Sequence, residues 1–249
     1  MDEDVELTDV PPQAPPTDSP EDDDRFTSAW AVADTIPGWL TEPQGRTLWE
    51  SVKETAKDNS VVLEIGSFKG RSTVLLGMAC QTFGSRLVTI DPYRPWKHGT
   101  LDTCAEMHAN VKRYGLEGTV THIRKSSRHV KRTWNPELAM VFVDGRHDVI
   151  SAFSDLGWSD CVASNGVLAV HDCFSSVGTT VATLCRLATN RNLNYLTRQG
   201  SLAILSKSSN NGVRQEPIGE ALLWWTINVG KKILIRIARV RGRYRDDPY

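Results

Sequence analysis

Five short apolar runs, at residues 61–65, 86–90, 119–123, 139–143 and 166–170, recur along the middle of the chain, and the stretches between them have the length and polarity of helices. Runs of this kind suit strands buried on both faces, as in a parallel sheet with helices on either side. The pattern therefore predicts an α/β, Rossmann-like, doubly wound sheet with helices on both faces. Two further runs, 193–197 and 201–205, are too close for a helical crossover and meet near Gln199-Gly200. They are expected to pair antiparallel and to end a mostly parallel sheet, which argues against an ordinary dehydrogenase.

The ends of the chain read differently from its body. Residues 1–24 hold ten acidic side chains, five prolines and no basic residue, so they are expected to form a disordered acidic tail and not a signal peptide. Residues 25–60 read as a helical cover: Trp30 and Trp39 come first, then a helix start at Thr41-Glu42-Pro43 with Leu48, Trp49, Val52 and Ala56 at helical spacing. The main domain is expected over 61–206, followed by a linker and basic amphipathic segment over 207–249. Within residues 221–243, Lys232, Arg236, Arg239 and Arg243 make one cationic helical stripe, while Leu223, Ile227, Leu234 and Ile237 occupy another face. Four interrupting charges argue against a membrane span. The segment is expected to lie on a membrane surface with Trp224 and Trp225 at headgroup depth, or else to pack on its own domain or on a second copy in a homo-oligomer. Without its two ends the chain is nearly balanced in charge, so nucleic acid is not an expected partner. The five cysteines form no CxxC pair and no Cys/His cluster at zinc spacing, which points to a reducing cytoplasm, with any membrane contact on the inner face.

Run 61–65 leads into Glu64-Ile65-Gly66-Ser67-Phe68-Lys69-Gly70-Arg71-Ser72. Gly66 and Gly70 allow a tight turn and a close backbone approach, and the following helix offers its positive end to an anionic group of a ligand. The GxxxG spacing misses the dinucleotide fingerprint. Glu64, at the end of a buried strand, must find a donor. Asp91, one strand later, stands where nucleotide-binding folds place an acid on the ribose hydroxyls, or it caps the turn before Pro92. Ser126 and Ser127 follow the third run and are candidates for an adenine edge, or for plain turn positions.

Two strands deliver Asp plus His to one sheet edge: Asp144-Gly145-Arg146-His147 after run 139–143, and His171-Asp172 after run 166–170. Two carboxylates at neighbouring strand ends suit a hard divalent cation, and an imidazole there suits proton removal. The alternatives are that Asp144 serves a ligand ammonium without metal, that His147 caps the next helix, and that His171 is a satisfied buried histidine.

Taken in order, EIGSFKGRST, TIDPY, FVDGRHDVISAFSDL and GVLAVHD resemble the class I S-adenosylmethionine (SAM)-dependent methyltransferases, specifically the small-molecule family of macrocin-type sugar O-methyltransferases and relatives described near cephalosporin hydroxylases. The likeness covers about residues 40–206. It implies SAM held by Glu64, Gly66, Ser67, Gly70, Ser72, Asp91, Ser126 and Asp144, with Glu64 facing the methionine ammonium or its water shell. It further implies Mg²⁺ on Asp144 and Asp172, His147 as general base with His171 beside it, and a sugar or glycolipid acceptor. The 28 residues from Asp144 to Asp172 also resemble the spacing in catechol-type O-methyltransferases. Those carry Asn after the second Asp, where this chain has Cys173, and some sugar enzymes have an acid at the position of His171, so the third protein ligand stays open. A metal-independent methyltransferase and a non-catalytic membrane-surface module keeping the fold are the alternatives.

Overall fold

The computed structural model describes residues 20–93, 103–208 and 218–240. Its strands are β1 (Val61–Ile65), β2 (Arg86–Ile90), β3 (Val120–Ile123), β4 (Leu138–Val143), β5 (Val162–Val170), β6 (Leu193–Gln199) and β7 (Leu202–Lys207). They form one sheet in the order β3-β2-β1-β4-β5-β7-β6, with β7 antiparallel to both β5 and β6 and the remaining pairs parallel. The doubly wound sheet with an antiparallel end is the expected one, and the strand starts and ends fall within a few residues of the apolar runs.

Side chains alternate across the strands, so each contributes to two cores. Val62, Met140, Phe142 and Ala169 face one layer, packed under α1 (Pro20–Ala33), α2 (Glu42–Thr55), α3 (Arg71–Thr82) and α4 (Thr103–Arg113). Leu63, Ile65, Val141, Val143, Leu168 and Val170 face the other, which includes residues of α5 (Ser127–Lys131), α6 (Val149–Leu156), α7 (Val177–Thr189) and α8 (Ile218–Val240). A short 3₁₀ turn at Gly157–Cys161 buries Trp158 in the second core.

Register decides where the site lies. Ile65 pairs with Ile90 on one side and Val143 on the other, and Val143 pairs with Val170. The four strands thus end level, and Gly66, Asp91, Asp144 and His171 follow at one edge. All four positions extend the ladder by one bond: Gly66 N–H donates to Ile90 O at 3.0 Å, Asp91 N–H to Ile123 O at 3.3 Å, Asp144 N–H to Ile65 O at 2.8 Å and His171 N–H to Val143 O at 2.9 Å. Between β1 and β4 the winding reverses direction, which is where open α/β sheets leave a crevice for ligands.

Two terminal expectations need correction. Helix α1 starts at Pro20, so residues 20–24 are its first turn and not part of a tail; Phe26, Ala29 and Ala33 are buried, which gives those acidic residues an anchored helix to extend. Residues 1–19 lie outside the described set. At the other end, α8 is helical as expected, but Ala221 is buried and Trp224 and Trp225 are half-buried against the second core, with the Arg198 guanidinium 4.5 Å from the Trp224 ring centre. Both tryptophans are thus turned to their own domain, and Leu223 and Ile227 are the exposed apolar residues. The side chains of 231–240, and Arg243, lie outside the described residues. No helix among the described residues is long and apolar enough to cross a membrane.

The N-terminal cover is fastened by Arg71, the first residue of α3. Its guanidinium donates to the main-chain oxygens of Ile36 (2.6 Å), Leu40 (2.8 Å) and Asp34 (3.1 Å), and lies 3.4 Å from the Asp34 carboxylate. Replacing it with alanine is expected to lower stability by about 2–3 kcal/mol, because charge-assisted bonds to partly buried carbonyls are lost together. Urea unfolding of Arg71→Ala checks this, and an unchanged midpoint would remove Arg71 as the fastener.

Candidate active site

The turn after β1 is built around two left-handed glycines, Gly66 and Gly70, each at φ +94°. At Gly66 a Cβ would meet the carbonyl oxygen of Asp144 at 2.2 Å, so only glycine lets the turn lie against the loop after β4. Below it the Glu64 carboxylate is fully buried. It accepts from the hydroxyls of Ser72 (2.6 Å), Thr73 (2.6 Å) and Thr89 (2.8 Å). The chain itself thus supplies three donors to Glu64, and the group ties α3 and β2 to β1. Burial pushes the Glu64 carboxyl up to about 7, against the three hydroxyl donors that pull it down.

Asp91 also serves the turn. One carboxylate oxygen accepts from the amides of Ser67 (3.0 Å) and Phe68 (3.3 Å), and the other from the Tyr93 amide (2.7 Å). The Ser67 hydroxyl contacts Thr89. On the rim, exposed Trp39 lies 5.1 Å from the Phe68 ring, a pair that no periodicity in the sequence marked. Ser126 is the half-exposed N-cap position of α5, without a side-chain capping bond. Ser127 is buried and donates to Asp155. Asp155 packs under the loop after β4, where a Cβ on Gly145 would come within 2.8 Å of its carboxylate. Burial pushes Asp155 up to about 6.

Asp144, His147, His171 and Asp172 meet at the sheet edge. Buried His171 holds Nδ1 3.2 Å from Asp144 Oδ1 and 3.6 Å from Asp172 Oδ2. The N–H is not aligned for a straight hydrogen bond to either, which makes the contact chiefly ionic. Nε2 lies 3.3 Å from Gln44 Oε1. Burial alone would lower the His171 pKa, but the two carboxylates overcome it and hold the ring up to about 10. Burial would raise Asp172; instead His171, a 2.8 Å bond from Ser175 and the nearby His147 hold it well below the usual carboxylate range. The Asp172 backbone is left-handed, at φ +52°, a strained setting for a non-glycine residue.

His147 is half-exposed, with Nε2 3.1 Å from Asp172 Oδ2. It does not cap α6: Asp148 does, accepting from the Ser151 amide at 2.9 Å. Gly178 in α7 lets the helix lie against this loop, because a Cβ there would strike the His147 carbonyl at 2.1 Å. Sequence reading missed Gly178 and Gln44. Gln44 also accepts from the Thr41 amide (3.0 Å) and donates to Ser201 (3.1 Å); the Thr-x-x-Gln capping pattern at the start of α2 was its available signal.

Asp144, His171 and Asp172 each offer a ligand atom within 4.8 Å of the others. The edge therefore combines a glycine turn at a helix start, an acid at the end of β2 and a carboxylate–imidazole cluster.

Residues 63–173 match a family model described as a methyltransferase domain, a span that contains Glu64, Gly66, Gly70, Asp91, Asp144, His147, His171 and Asp172. An SAH-bound methyltransferase from Podospora anserina is similar in structure at a TM-score of 0.58, with 15% identity, over 75% of this chain and 88% of that one. A cofactor-bound protein from MTB gives 0.57 at 19% identity over 75% and 91%, and an SAH-complexed O-methyltransferase from Bacillus cereus gives 0.53 at 17% over 78% and 92%. The structural likenesses show the fold. Residues 63–173 thus carry the likeness to a methyltransferase domain, set in a fold that SAH-bound methyltransferases share.

Glu64 generates a pH prediction. A carboxyl whose folded pKa exceeds its unfolded value binds its proton more tightly when folded, so stability should fall as pH rises from about 4.5 to 7. The full difference is up to roughly 3 kcal/mol. Glu64→Gln should flatten that part of the profile relative to wild type, measured by urea unfolding at several pH values; parallel profiles would refute it.

Proposed function

We propose that the protein transfers a methyl group from SAM to a hydroxyl oxygen of a small molecule, a sugar or the sugar of a glycolipid, with His147 as the base. The observation that carries this reading is the His147–Asp172 pair on the open side of the edge. With Nε2–H directed to Asp172, the Nδ1 lone pair is left to accept a proton. As the acceptor oxygen bonds to the methyl carbon, the carbon–sulfur bond breaks, SAH leaves as a neutral thioether, and the hydroxyl proton passes to His147. Asp172 orients the ring and stabilises the imidazolium so formed. In this reading the turn from Gly66 to Gly70, with Ser67 and Ser126 nearby, cradles SAM, and Asp91 offers its remaining lone pairs to the ribose.

A divalent cation such as Mg²⁺ fits the Asp144, Asp172 and His171 set, because the donor atoms converge and buried His171 Nδ1 has no aligned hydrogen-bond partner. Bound there, it would polarise the acceptor hydroxyl. His171 itself favours a second reading. Held up to about 10, it is an imidazolium between two carboxylates and supplies positive charge without metal.

His147→Ala should lower turnover by about 10²–10⁴-fold with SAM affinity nearly unchanged, measured by single-turnover kinetics and calorimetry. Full activity in that variant would sink the base assignment. Chelator separates the two readings: loss of activity restored by Mg²⁺ supports the metal, and indifference supports the imidazolium.

For a glycolipid acceptor, the cationic stripe of residues 221–243 would bring the site to an anionic surface. Truncation would strip Ala221 and Trp225 from the core, so the test is the paired charge reversal Lys232→Glu and Arg236→Glu. Weaker cosedimentation with anionic vesicles is expected, and unchanged binding would end the membrane reading.

A further inference from the structure

Three strands along the same edge from Asp144, a second group of ligating side chains converges. Cys104 and His108 are four residues apart on α4 and so lie one turn above the other on one face. His122, on β3, meets that face. One ligand atom from each of the three lies within 4.8 Å of the others. His108 Nε2 is 3.1 Å from His122 Nδ1, and the ring centres are 5.0 Å apart. Cys104 is buried, His122 half-buried and His108 exposed, so the group has an enclosed sulfur and an open mouth. His122 Nε2 is buried without a hydrogen-bond partner.

We propose that Cys104, His108 and His122 bind a thiolate-preferring divalent cation of the Zn²⁺ type, with water completing the coordination. One sulfur and two imidazole nitrogens are a donor set that Mg²⁺ disfavours and Zn²⁺ favours. Tetrahedral bonding with zinc–nitrogen lengths of about 2.0–2.1 Å sets the nitrogens roughly 3.4 Å apart, so the histidine pair needs to open by only a few tenths of an ångström. Binding would release the Cys104 proton and draw on both neutral imidazoles. This revises the expectation of no Cys/His cluster: the ligands are divided between a helix pair and a strand that reaches it through the fold, a spacing no linear pattern displays.

Such an ion would do more than join α4 to β3. The same helix sets Met107 against Gly70, places Glu106 3.0 Å from Lys69, and donates from Asn110 to the Lys69 carbonyl at 2.9 Å. Clamping α4 would therefore steady the glycine turn from behind.

The test uses the full chain, stripped of metal and titrated with Co²⁺ alone, reading the thiolate-to-cobalt charge-transfer absorption and its bleaching by Zn²⁺. One equivalent with a thiolate band is expected. The band should vanish in Cys104→Ser and persist in Asp172→Asn, which separates this site from the carboxylate cluster. Because His108 is exposed, His108→Ala should keep the fold by circular dichroism while weakening Co²⁺ binding on the order of tenfold or more. Absence of a thiolate band in the wild type, its persistence in Cys104→Ser, or unchanged affinity in folded His108→Ala would overturn the proposal.

Discussion

Parallel pairing that brings β1, β2, β4 and β5 level at their carboxyl ends, after a register shift between Leu138 and Met140 of β4, is the constraint on which the rest of this molecule depends. A strand displaced by one residue presents its side chains to the opposite face. Here such a slip in β4 would exchange Phe142 and Val143 between the two cores and carry Asp144 away from the edge. The buried Glu64 carboxylate reinforces the alignment, because its three hydroxyl donors come from α3 and β2 and must all reach one point. A charge-bearing group in an apolar layer is tolerated only when satisfied, so the cost of losing any donor enforces the geometry.

The electrostatics divide along the same edge. At one end a carboxylate that burial has made weakly acidic sits beneath the glycine turn. At the other, two carboxylates and a buried imidazole compensate one another, and Asp172 is kept anionic at almost any pH the protein would meet. Neighbouring strands thus offer different protonation behaviour within one crevice, which is the condition for binding and proton handling to be controlled separately.

The sheet was legible because buried strands leave short apolar runs, and the strand-end residues were legible because a sheet edge is where such runs stop. Asp144, His147, His171 and Asp172 could be gathered on that basis before any coordinates. What could not be read was pairing that depends on the third dimension. That Glu64 gathers the hydroxyls of Ser72, Thr73 and Thr89 is one such pairing. Gln44 reaches His171 from a helix 127 residues earlier in the chain. Trp224 and Trp225 looked interfacial because periodicity alone does not say what an amphipathic face covers. The acidic first turn of α1 misled for a related reason: composition averaged over residues 1–24 concealed a helix anchored by Phe26 farther on.

The loop from Asp144 to Asp148 is gripped at both ends by main chain, against Gly66 on one side and Gly178 on the other, with no side chain between to yield. On the turn after β1, exposed Trp39 rests on Phe68, ring on ring. The loop is therefore rigid and the pair compliant. Rotamer changes cost far less than moving packed backbone, so under the proposed methyl transfer an acceptor of unfamiliar shape would be accommodated by swinging the aromatic pair, while the carboxylates and imidazoles keep their positions. In that reading, tolerance for acceptors and fidelity of the chemistry can drift independently, since they reside on different elements.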